Sequence, residues 1–502
     1  MSYTTDLGLY IDGSWRKGEG RDCHAVINPA TGETLAELPL ATAADLDEAL
    51  AATAKGFAYW RGVDVNARAA ILHKVADLIR ERAEGIAVLL TTEQGKPLAE
   101  ARTEVLSCAA QFDYFAEEAK RSYGRVLVRP TGQRAIVLKQ PVGPVAAFSP
   151  WNFPVNLSLS PVVYAVAAGN AVVLKPSEVA PATAQLLAKV VQEAFPEGWV
   201  RTVQGDAETA KSLLEHPWNH IFFTGGPSIG KTVMAAASKH LTSVTLELGG
   251  KSPVFLDPSF SVERAAKLLA WAKSMNAGQI CIAPDYVLVP RERMGDLVHA
   301  FAHALKDLYG DRLVDNPDYT RIINERHWAR LQAWHEDAVG AGAQVWQPEP
   351  ADVSKRFFPP TLYLDPDPSC RISCEELFGP LLPLIPYDKL EDAIAYVNAK
   401  ERPLVTYVLS ENKAFQERTV NETRAGATVI NDFIIHYMHH DLPFGGVNHS
   451  GIGKSHGVWG FREFTNARPV VRRRWGVNPT LFLGPPYTNW KKQVVSALLR
   501  WL

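Results

Sequence analysis

The spacing of apolar and polar residues divides most of the chain into three long segments. Residues 44–120 are rich in alanine and carry charges three and four positions apart, which predicts helices. Over residues 142–248 an apolar run, a turn and an amphipathic stretch repeat, and a second such series covers residues 253–431. Because parallel strands need crossover connections, this alternation predicts an α/β fold with parallel sheets covered by helices. The strand candidates of the first series are 141–150, 170–178, 199–206, 220–226 and 243–250.

Turn signals and short patterns mark the remaining boundaries. Paired glycines at 249–250 follow the last strand of the first series, and we place a domain boundary there. Two alternating stretches, 124–130 and 134–140, surround a Thr-Gly turn and predict a β-hairpin. The uncharged stretch 157–174 is long enough to cross a bilayer, but an internal proline and a Gly-Asn turn favour a helix followed by a buried strand.

The carboxyl-terminal segment 489–502 has an amphipathic pattern with three interspersed basic residues. The apolar positions near one helical face are Trp490, Val494, Val495, Leu498 and Leu499. This pattern predicts a terminal helix that packs on the body of the protein or on a partner subunit. Contact with a membrane surface is the alternative, because basic amphipathic helices can lie in an interface.

Composition and charge narrow the class of protein. Of the 502 residues, 47% are hydrophobic and 21% are charged, and the formal net charge is −2. These are ordinary values for a globular protein of two or three domains, and they argue against a nucleic-acid partner. The amino-terminal segment lacks the features of a signal peptide, so we expect a cytoplasmic protein. The cysteines predict neither a disulfide framework nor a metal site; they are Cys23, Cys108, Cys281, Cys370 and Cys374.

Polar residues with chemical potential follow two of the predicted strands. Asn152 stands between prolines and aromatic residues, and its NH2 group can stabilise an oxyanion, although the segment alone can also be a simple turn. Lys175 and Glu178 close the next strand, where ligands of open α/β sheets bind. They can bond ribose hydroxyls, and a carboxylate there repels a 2′-phosphate, which favours NAD over NADP. A solvated charged loop is the alternative.

Three further segments carry chemistry only in combination. Glycines 225 and 230 lie between a strand and a helix and allow main-chain N–H groups to approach a phosphate, but their spacing matches no standard nucleotide motif. Glu247 ends an apolar strand, where it is either a partly desolvated general base or a structural ion-pair partner. Cys281 has apolar neighbours, which alone is typical of a buried, inert thiol.

Taken together and in this order, these segments resemble the aldehyde dehydrogenase superfamily over almost the whole chain. The matching segments are PWNFP at 150–154, KPSE at 175–178, FTGG at 223–226, ELGGK at 247–251, GQIC at 278–281, EELFGP at 375–380 and LPFGG at 442–446. The resemblance implies that family's fold. We expect a Rossmann-like cofactor domain (1–122 and 142–248), an α/β catalytic domain (249–450), a small β oligomerisation element (123–141 and 465–476) and a tail with the amphipathic helix (477–502).

The resemblance also implies roles for individual residues. Cys281 is the expected nucleophile, which forms a thioester with the aldehyde carbon. Asn152 and the main-chain N–H of Cys281 hold the oxyanion, and Glu247 activates the hydrolytic water. The implied contacts of an NAD or NADP cofactor are Trp151, Lys175, Ser177, Glu178, Gly225, Gly226, Gly230, Leu248, Glu376 and Phe378. The implied substrate pocket comprises Phe153, Asn156, Leu157, Ser160, Ile280, Ile282, Phe433 and His436.

The substrate class follows from the branch of the family. Segments 281–286, 430–436 and 441–457 are most similar to class 3 enzymes and to the coniferyl-aldehyde dehydrogenases near them, which favour aromatic and medium- or long-chain aliphatic aldehydes. The amino terminus is instead similar to succinate-semialdehyde and betaine-aldehyde enzymes, so a semialdehyde dehydrogenase is an alternative. A CoA-acylating enzyme is another, which the presence of Glu247 disfavours. A non-catalytic relative would be expected to lose Cys281 or Asn152. The resemblance implies a homodimer or homotetramer.

Overall fold

The computed structural model describes residues 6–11, 14–17, 20–122, 125–128, 133–195, 198–473 and 484–500. The chain begins with two antiparallel hairpins, followed by four helices that fill the alanine-rich region. The hairpin strands are β1 (Leu9–Ile11), β2 (Ser14–Arg16), β3 (Cys23–Ile27) and β4 (Thr34–Pro39). The helices are α1 (Ala43–Trp60), α2 (Val65–Glu81), α3 (Ala83–Gln94) and α4 (Leu98–Ser122). Helix α1 starts at a capping box, in which Thr42 and Asp45 satisfy each other's main-chain N–H groups.

The first series of strands and helices forms a six-stranded sheet. In chain order its elements are β7 (Val145–Phe148), α5 (Asn156–Ala168), β8 (Val172–Lys175), α6 (Pro181–Ala194), β9 (Val200–Thr202), α7 (Ala207–Leu214), β10 (His220–Thr224), α8 (Pro227–Ser238) and β11 (Ser243–Glu247). Each strand candidate of this series contains one of these strands. A short strand, β19 (Gly451–Ile452), returns late in the chain and pairs antiparallel with β11, which gives the order β19-β11-β10-β7-β8-β9.

The register of this sheet brings the chemistry-bearing segments to one edge. Phe148 pairs with Lys175, and Thr224 pairs with Glu247, in neighbouring parallel strands. Strand β10 also pairs with β7, so that Phe223 is opposite Phe148. Because parallel strands all end at the same edge, the residues that follow them converge there.

The second series forms a seven-stranded sheet with the order β14-β15-β16-β13-β12-β17-β18. All pairs are parallel except that of β14 with β15. In chain order the elements are β12 (Pro253–Leu256), α9 (Val262–Ser274), β13 (Tyr286–Pro290), α10 (Met294–Tyr309), α11 (Glu325–Gly340), β14 (Gln344–Trp346), β15 (Thr361–Leu364), α12 (Arg371–Cys374), β16 (Leu381–Tyr387), α13 (Leu390–Asn398), β17 (Val405–Leu409), α14 (Lys413–Glu422) and β18 (Ala427–Ile430). The predicted boundary at 249–250 falls between the two sheets. The predicted fold class is confirmed.

The predicted hairpin is part of a larger sheet. Strand β5 (Arg125–Val128) pairs with β6 (Gln133–Pro141), while the turn at 131–132 lies outside the described residues. Strand β20 (Thr465–Arg473) pairs antiparallel with β6 along its whole length, after helix α15 (Gly457–Glu463). The two segments that we assigned to an oligomerisation element therefore form one three-stranded sheet, with residues 474–476 outside the described part.

Two predictions about membranes concern particular segments. The uncharged stretch 157–174 is the buried helix α5, a left-handed turn at Gly169 and the buried strand β8, as predicted. Helix α16 (Asn489–Leu499) occupies the predicted terminal segment and leaves Trp490 and Val494 about half exposed. In the described part of the chain, no helix combines the length and apolar character needed to cross a bilayer.

Candidate active site

The cysteine-bearing loop begins with unusual backbone geometry. After helix α9, Asn276 and Ala277 adopt left-handed conformations, with φ of 48° and 50°, and Gly278 follows with φ of 69°. A Cβ on Gly278 would collide with the carbonyl oxygen of Gly379, so only glycine fits there. Two non-glycine residues in this region are strained, and strain of this kind persists only where surrounding contacts determine it.

The side chain of Gln279 supplies such contacts. Its Nε2 donates to the carbonyl oxygens of Asn276 at 3.0 Å and Arg321 at 3.2 Å. Its Oε1 accepts from the N–H of Ile323 at 3.1 Å. Gln94 donates to the Asn276 side chain at 2.7 Å, so hydrogen bonds fix the loop at Asn276 as well as at Gln279.

Asn152 lies against the same loop. Its Nδ2 donates to the carbonyl oxygen of Gln279 at 3.1 Å, while its Oδ1 is buried without a hydrogen-bond partner. The carbonyl of Asn152 accepts from Lys96 at 2.9 Å. Lys96 pairs with Glu104 at 2.6 Å, and both side chains are almost completely buried. This ion pair, which sequence reasoning missed, anchors the oxyanion-donor candidate beside the cysteine loop.

Cys281 is a half-buried free thiol at the end of this loop. Burial raises its pKa to about 12, and the nearby carboxylates of Glu376 and Glu247 act in the same direction. The protonated thiol is therefore the stable form at neutral pH when no ligand is bound. Both predicted acidic residues therefore act electrostatically on the thiol.

Glu247 ends strand β11 and is buried. Neither carboxylate oxygen of Glu247 is hydrogen-bonded to a described residue. Burial raises the pKa of Glu247 to about 8. Because a general base works best when its pKa is near the working pH, this environment suits a base better than it suits a structural ion pair.

The Glu376 side chain packs closely against the first of the paired glycines at 249–250. A Cβ on Gly249 would overlap with the Glu376 carboxylate, so the glycine makes room for this side chain. Burial raises the pKa of Glu376 to about 8, and Asp285 adds to the effect. The segment before Glu376 is held by Lys251, which pairs with Asp285 and donates to the carbonyl of Glu375 at 2.7 Å. Lys251 and Asp285 are therefore further positioning residues that the motif pattern did not single out.

The residues that close strand β8 form a compact polar group. The Lys175 ammonium donates to Glu178 at 2.9 Å. Burial is the largest single effect and raises the pKa of Glu178, but the Lys175 charge, the Lys175 hydrogen bond and the main-chain N–H of Glu178 together lower the pKa below its usual value. Ser177 is buried, and its hydroxyl accepts from the N–H of Val179 at 3.3 Å. Glu178 therefore stays ionised at neutral pH, half exposed at the edge of the sheet.

The glycines at the start of α8 differ in their surroundings. A Cβ on Gly225 would lie 2.5 Å from the Phe223 ring, and one on Gly230 would lie 2.7 Å from Leu248. Gly226 caps the helix and has open space around its α-carbon. Gly225 and Gly230 thus serve close packing, and Gly226 leaves the first-turn N–H groups of a twelve-residue helix accessible to an anion.

An aromatic group connects the predicted cofactor contacts to α11. The ring of Trp151 lies edge-on to Phe378 at 5.6 Å and also contacts His327 at 5.3 Å. Phe378 has a left-handed backbone with φ of 42°, and its carbonyl accepts from Arg330 at 3.1 Å. Sequence reasoning missed His327 and Arg330, since a polar pair three residues apart on a helix is typical of any solvated face.

The eight predicted pocket residues have different surroundings. Phe153 and Leu157 are half-buried, whereas the other six are buried. Asn156 and Ser160 share a hydrogen bond of 3.0 Å, and Asn156 also accepts from the Tyr437 hydroxyl at 2.6 Å. The polar atoms of these two side chains are thus used within the protein, and Tyr437, which we did not predict, lies in the same network.

The remaining pocket candidates lie among apolar and aromatic side chains of the catalytic domain. Ile280 and Ile282 belong to the catalytic-domain core, and the carbonyl of Ile282 accepts from the Tyr407 hydroxyl at 2.6 Å. Phe433 packs on the Tyr407 ring at 4.5 Å. His436 stacks on Phe444 at 5.7 Å with both ring nitrogens buried and unpartnered. Burial lowers the pKa of His436 to about 4, so the ring is neutral at physiological pH.

Comparisons with known proteins identify the family of the chain. The sequence model of the Aldehyde dehydrogenase family matches residues 15–470. A probable coniferyl aldehyde dehydrogenase of Pseudomonas aeruginosa is 44% identical over 364 residues, which are 72% of this chain and 76% of that protein. A dimeric, NADP-preferring aldehyde dehydrogenase of Rattus norvegicus is 41% identical over 332 residues, 66% of this chain and 72% of that one. The crystal structure of an NAD-dependent aldehyde dehydrogenase from Sinorhizobium meliloti has a TM-score of 0.87 at 30% identity and covers 96% of both chains.

Proposed function

Because this chain belongs to the aldehyde dehydrogenase family, on its class 3 and coniferyl-aldehyde side, we propose that Cys281, Asn152 and Glu247 carry its reaction. The protein is an NAD(P)-dependent enzyme that oxidises an aldehyde to the carboxylic acid. The observation that supports the residue roles is convergence. Asn152 bonds to the cysteine loop, and Glu247 acts electrostatically on the Cys281 thiol, although the three residues come from distant segments.

The cofactor has suitable partners at the edge of the first sheet. We assign the adenosine ribose to Lys175 and Glu178, the phosphates to the α8 amino terminus at Gly226, and the nicotinamide ribose to Glu376. Leu248 and Phe378 are apolar neighbours of these groups, and Trp151 and Ser177 complete the set. When bound, the nicotinamide ring supplies the hydride acceptor of the oxidation.

Cys281 performs the covalent step in this proposal. Its thiol proton passes to solvent water, since the residue is only half-buried, and the sulfur then adds to the aldehyde carbon, which places a negative charge on the former carbonyl oxygen. The donors proposed for that oxygen are the Asn152 Nδ2 and the main-chain N–H of Cys281. The Asn152 Nδ2 gives one of its two hydrogens to the Gln279 carbonyl, and Lys96 holds the main chain of Asn152 beside the loop. Oxidation of this adduct leaves a thioester on Cys281.

Glu247 performs the hydrolytic step. A carboxylate with a pKa of about 8 is a strong enough base to take a proton from water as the water attacks the thioester carbon. Its oxygens are enclosed in the structure, so the side chain must turn toward the acyl group in order to meet the water. The products are the carboxylic acid and the free thiol.

The substrate that we propose is an aromatic aldehyde of the cinnamaldehyde kind. The 44% identical relative is named for coniferyl aldehyde, and the aromatic residues Tyr407 and Tyr437 lie near Cys281. Phe153 and Leu157 are the half-buried members of the proposed pocket, and Tyr437 and Phe444 pack on each other at 4.9 Å nearby. Aromatic side chains favour stacked or edge-on contacts with a flat substrate.

We also propose a homo-oligomer that forms through the three-stranded sheet and works in the reducing cytoplasm. Strands β20 and β5 are the edges of this sheet, and edge strands are ready to pair with another chain. Exposed Val471 on β20 supplies apolar surface there. The five cysteines of the structure are all free, which agrees with a reaction that needs an unoxidised thiol.

The test is a substrate panel on purified protein without CoA. Cinnamaldehydes, benzaldehydes, alkanals of rising length and succinic semialdehyde are compared with NAD and with NADP. We expect the highest kcat/KM for cinnamaldehydes, a Cys281 acyl adduct detectable by mass spectrometry after acid quench, and no turnover in Cys281→Ala. A preference for succinic semialdehyde would overturn the substrate proposal, and full activity of Cys281→Ala would overturn the mechanism.

A further inference from the structure

Lys454 and Glu247 pack against the same residue. A Cβ on Gly445 would lie 3.2 Å from the Glu247 Oε1 and 3.2 Å from the Lys454 Cδ. The Lys454 ammonium donates to the carbonyl oxygens of Gly445 and, at 3.0 Å, of Gly446. The positive charge is thereby fixed by main-chain atoms on the segment that covers the Glu247 carboxylate.

Glu463 places a negative charge on another side of the same group. It is the last residue of α15, and its Oε1 accepts from the main-chain N–H of Lys454 at 3.3 Å. Its Oε2 accepts from the Thr245 hydroxyl at 3.0 Å. Thr245 precedes Glu247 by two residues on β11, so both side chains are on the same face of the sheet.

A row of hydrogen bonds leads from strand β11 to Glu463. The His220 Nε2 lies 3.1 Å from the Thr245 hydroxyl, and the His220 Nδ1 lies 2.8 Å from the Ser243 hydroxyl. Burial lowers the pKa of His220 to about 3, so the ring is neutral and can donate from one nitrogen while it accepts at the other. Because the single hydrogen of the Thr245 hydroxyl is donated to the Glu463 Oε2, the Thr245 oxygen is left to accept from the His220 Nε2.

The other titratable groups near Glu247 are neutral at physiological pH. Burial raises the pKa of Cys281 to about 12 and raises that of Tyr164 on α5 well above its usual value. The Ser455 hydroxyl and the Lys454 ammonium lower the pKa of Glu247 against the larger effect of burial, whereas Glu463 raises it. The two charged groups that face Glu247 therefore act in opposite directions.

We propose that Lys454 and Glu463 are an opposed pair of positioning residues that sets when Glu247 can act as the base of thioester hydrolysis. The proposal rests on the proposed role of Glu247 and extends it to the two groups that prepare this carboxylate. Lys454 favours the ionised base, and Glu463, which accepts a hydrogen bond from Thr245, favours its protonated form. Neither residue touches the acyl group.

The experiment follows thioester decay across pH in the full-length enzyme. The acyl-enzyme is formed in a single turnover with an aldehyde and NAD, quenched at intervals and counted by intact mass between about pH 6 and pH 10. In the unmodified enzyme we expect the decay rate to rise with pH through a midpoint near 8, because only ionised Glu247 accepts the proton of water. Lys454→Met should move the midpoint up, and Glu463→Gln should move it down, each by about one pH unit.

Controls separate this role from a structural one. Lys454→Arg and Glu463→Asp keep the charges. The midpoints of these two variants should lie within about 0.3 pH units of that of the unmodified enzyme, which is a fraction of the roughly one-unit shift expected for loss of a neighbouring charge. Lys74→Met removes an exposed ammonium that donates to the Glu193 carbonyl at 2.6 Å and should leave the midpoint unchanged. If Lys454→Met does not fold, the downward shift in Glu463→Gln carries the test alone.

The outcomes distinguish this inference from the proposed function. Midpoints that do not move, or that move in the same direction in both variants, overturn the opposed pair while hydrolysis through Cys281 stands. Undiminished decay in Glu247→Gln would overturn the proposed role of Glu247 itself. Absence of an acyl adduct on Cys281 would overturn the thioester mechanism.

Discussion

The nucleophile and the base of this site are held in contrasting ways. Cys281 ends a loop that is fixed by side-chain hydrogen bonds of Gln279 and Gln94 and by a donor from Asn152. Glu247 ends a regular strand, and its carboxylate accepts no hydrogen bond from a described residue. The position of the Cys281 thiol is determined by hydrogen bonds in its loop. The protonation of Glu247 is determined by the charges around it.

The difference corresponds to what each group does in a turnover. A nucleophile must meet the carbonyl carbon and the oxyanion donors within a fraction of an ångström, so strain in the loop backbone is tolerated where contacts determine it. A base must change its protonation state and turn toward water, so hydrogen bonds that fix one charge state would hinder it. The same burial that protonates the thiol also brings the base near neutral pH.

Removal of the base should have the largest effect among the variants that separate the two steps. In Glu247→Gln we expect steady-state turnover to fall about 10² to 10⁴-fold, the usual contribution of general-base catalysis. The acyl-enzyme should still form, because the cysteine loop and Asn152 are unchanged. Rapid-quench mass spectrometry would show the adduct accumulating on Cys281. A variant that turns over at the original rate, or that forms no adduct, would contradict the division of labour between the two residues.

Loss of the Lys96–Glu104 ion pair that holds Asn152 should have the second-largest effect. Lys96→Met leaves the Glu104 carboxylate buried without its partner, which costs about 3 kcal/mol of unfolding free energy. Because Lys96 also bonds to the Asn152 carbonyl, we expect slower adduct formation as well. Urea unfolding and the burst rate are the two measurements. Lys211→Met, which breaks an exposed pair with Glu208, should leave both the urea midpoint and the burst rate nearly unchanged.

The same two regions show which features of the fold and of the site could be predicted from the sequence. The strand candidates, the parallel sheets and the convergence of Lys175 and Glu247 at one edge were predictable, because apolar runs separated by helical spacing have few other solutions. The paired glycines predicted a boundary, but their tight fit to Glu376 requires a contact between distant segments. The roles of single residues came from the resemblance, not from spacing.

The charged residues that prepare the site were not predictable. Lys96 stands 56 residues before Asn152 in the chain, and Glu463 stands 218 residues after Thr245. In a sequence, isolated charges of this kind are typical of a solvated helix face, and only the tertiary fold shows that Lys96 and Glu104 are buried. The polarity of Asn156 and Ser160 was visible, yet their hydrogen bonds to each other and to Tyr437 were not.

A substitution at the proposed cofactor site should have a smaller effect and should leave the cysteine loop and the base unchanged. In Gly249→Ala the new methyl group must displace the Glu376 carboxylate, so we expect the KM for NAD to rise about tenfold, equivalent to about 1.4 kcal/mol of binding free energy. Thioester decay, once the adduct has formed, should keep its rate. Gly295→Ala is the matched control, because a Cβ there meets open space within α10. An unchanged KM in Gly249→Ala would show that Glu376 does not hold the cofactor.

Tyr437 lies between the two regions and tests whether they are independent. Its hydroxyl donates to the Asn156 side chain at 2.6 Å, and its ring packs on Phe444, the residue before Gly445. Tyr437→Phe removes one buried hydrogen bond, so we expect a loss of about 1 kcal/mol in unfolding free energy, similar to that of Tyr387→Phe, whose hydroxyl donates to the Leu256 carbonyl at 2.6 Å far from the cysteine. If the nucleophile is set by geometry and the base by charge, Tyr437→Phe changes the rate of adduct formation but not the pH midpoint of thioester decay. A shift of that midpoint would mean that the packing around Phe444 also prepares Glu247, and that geometry governs both halves of the site.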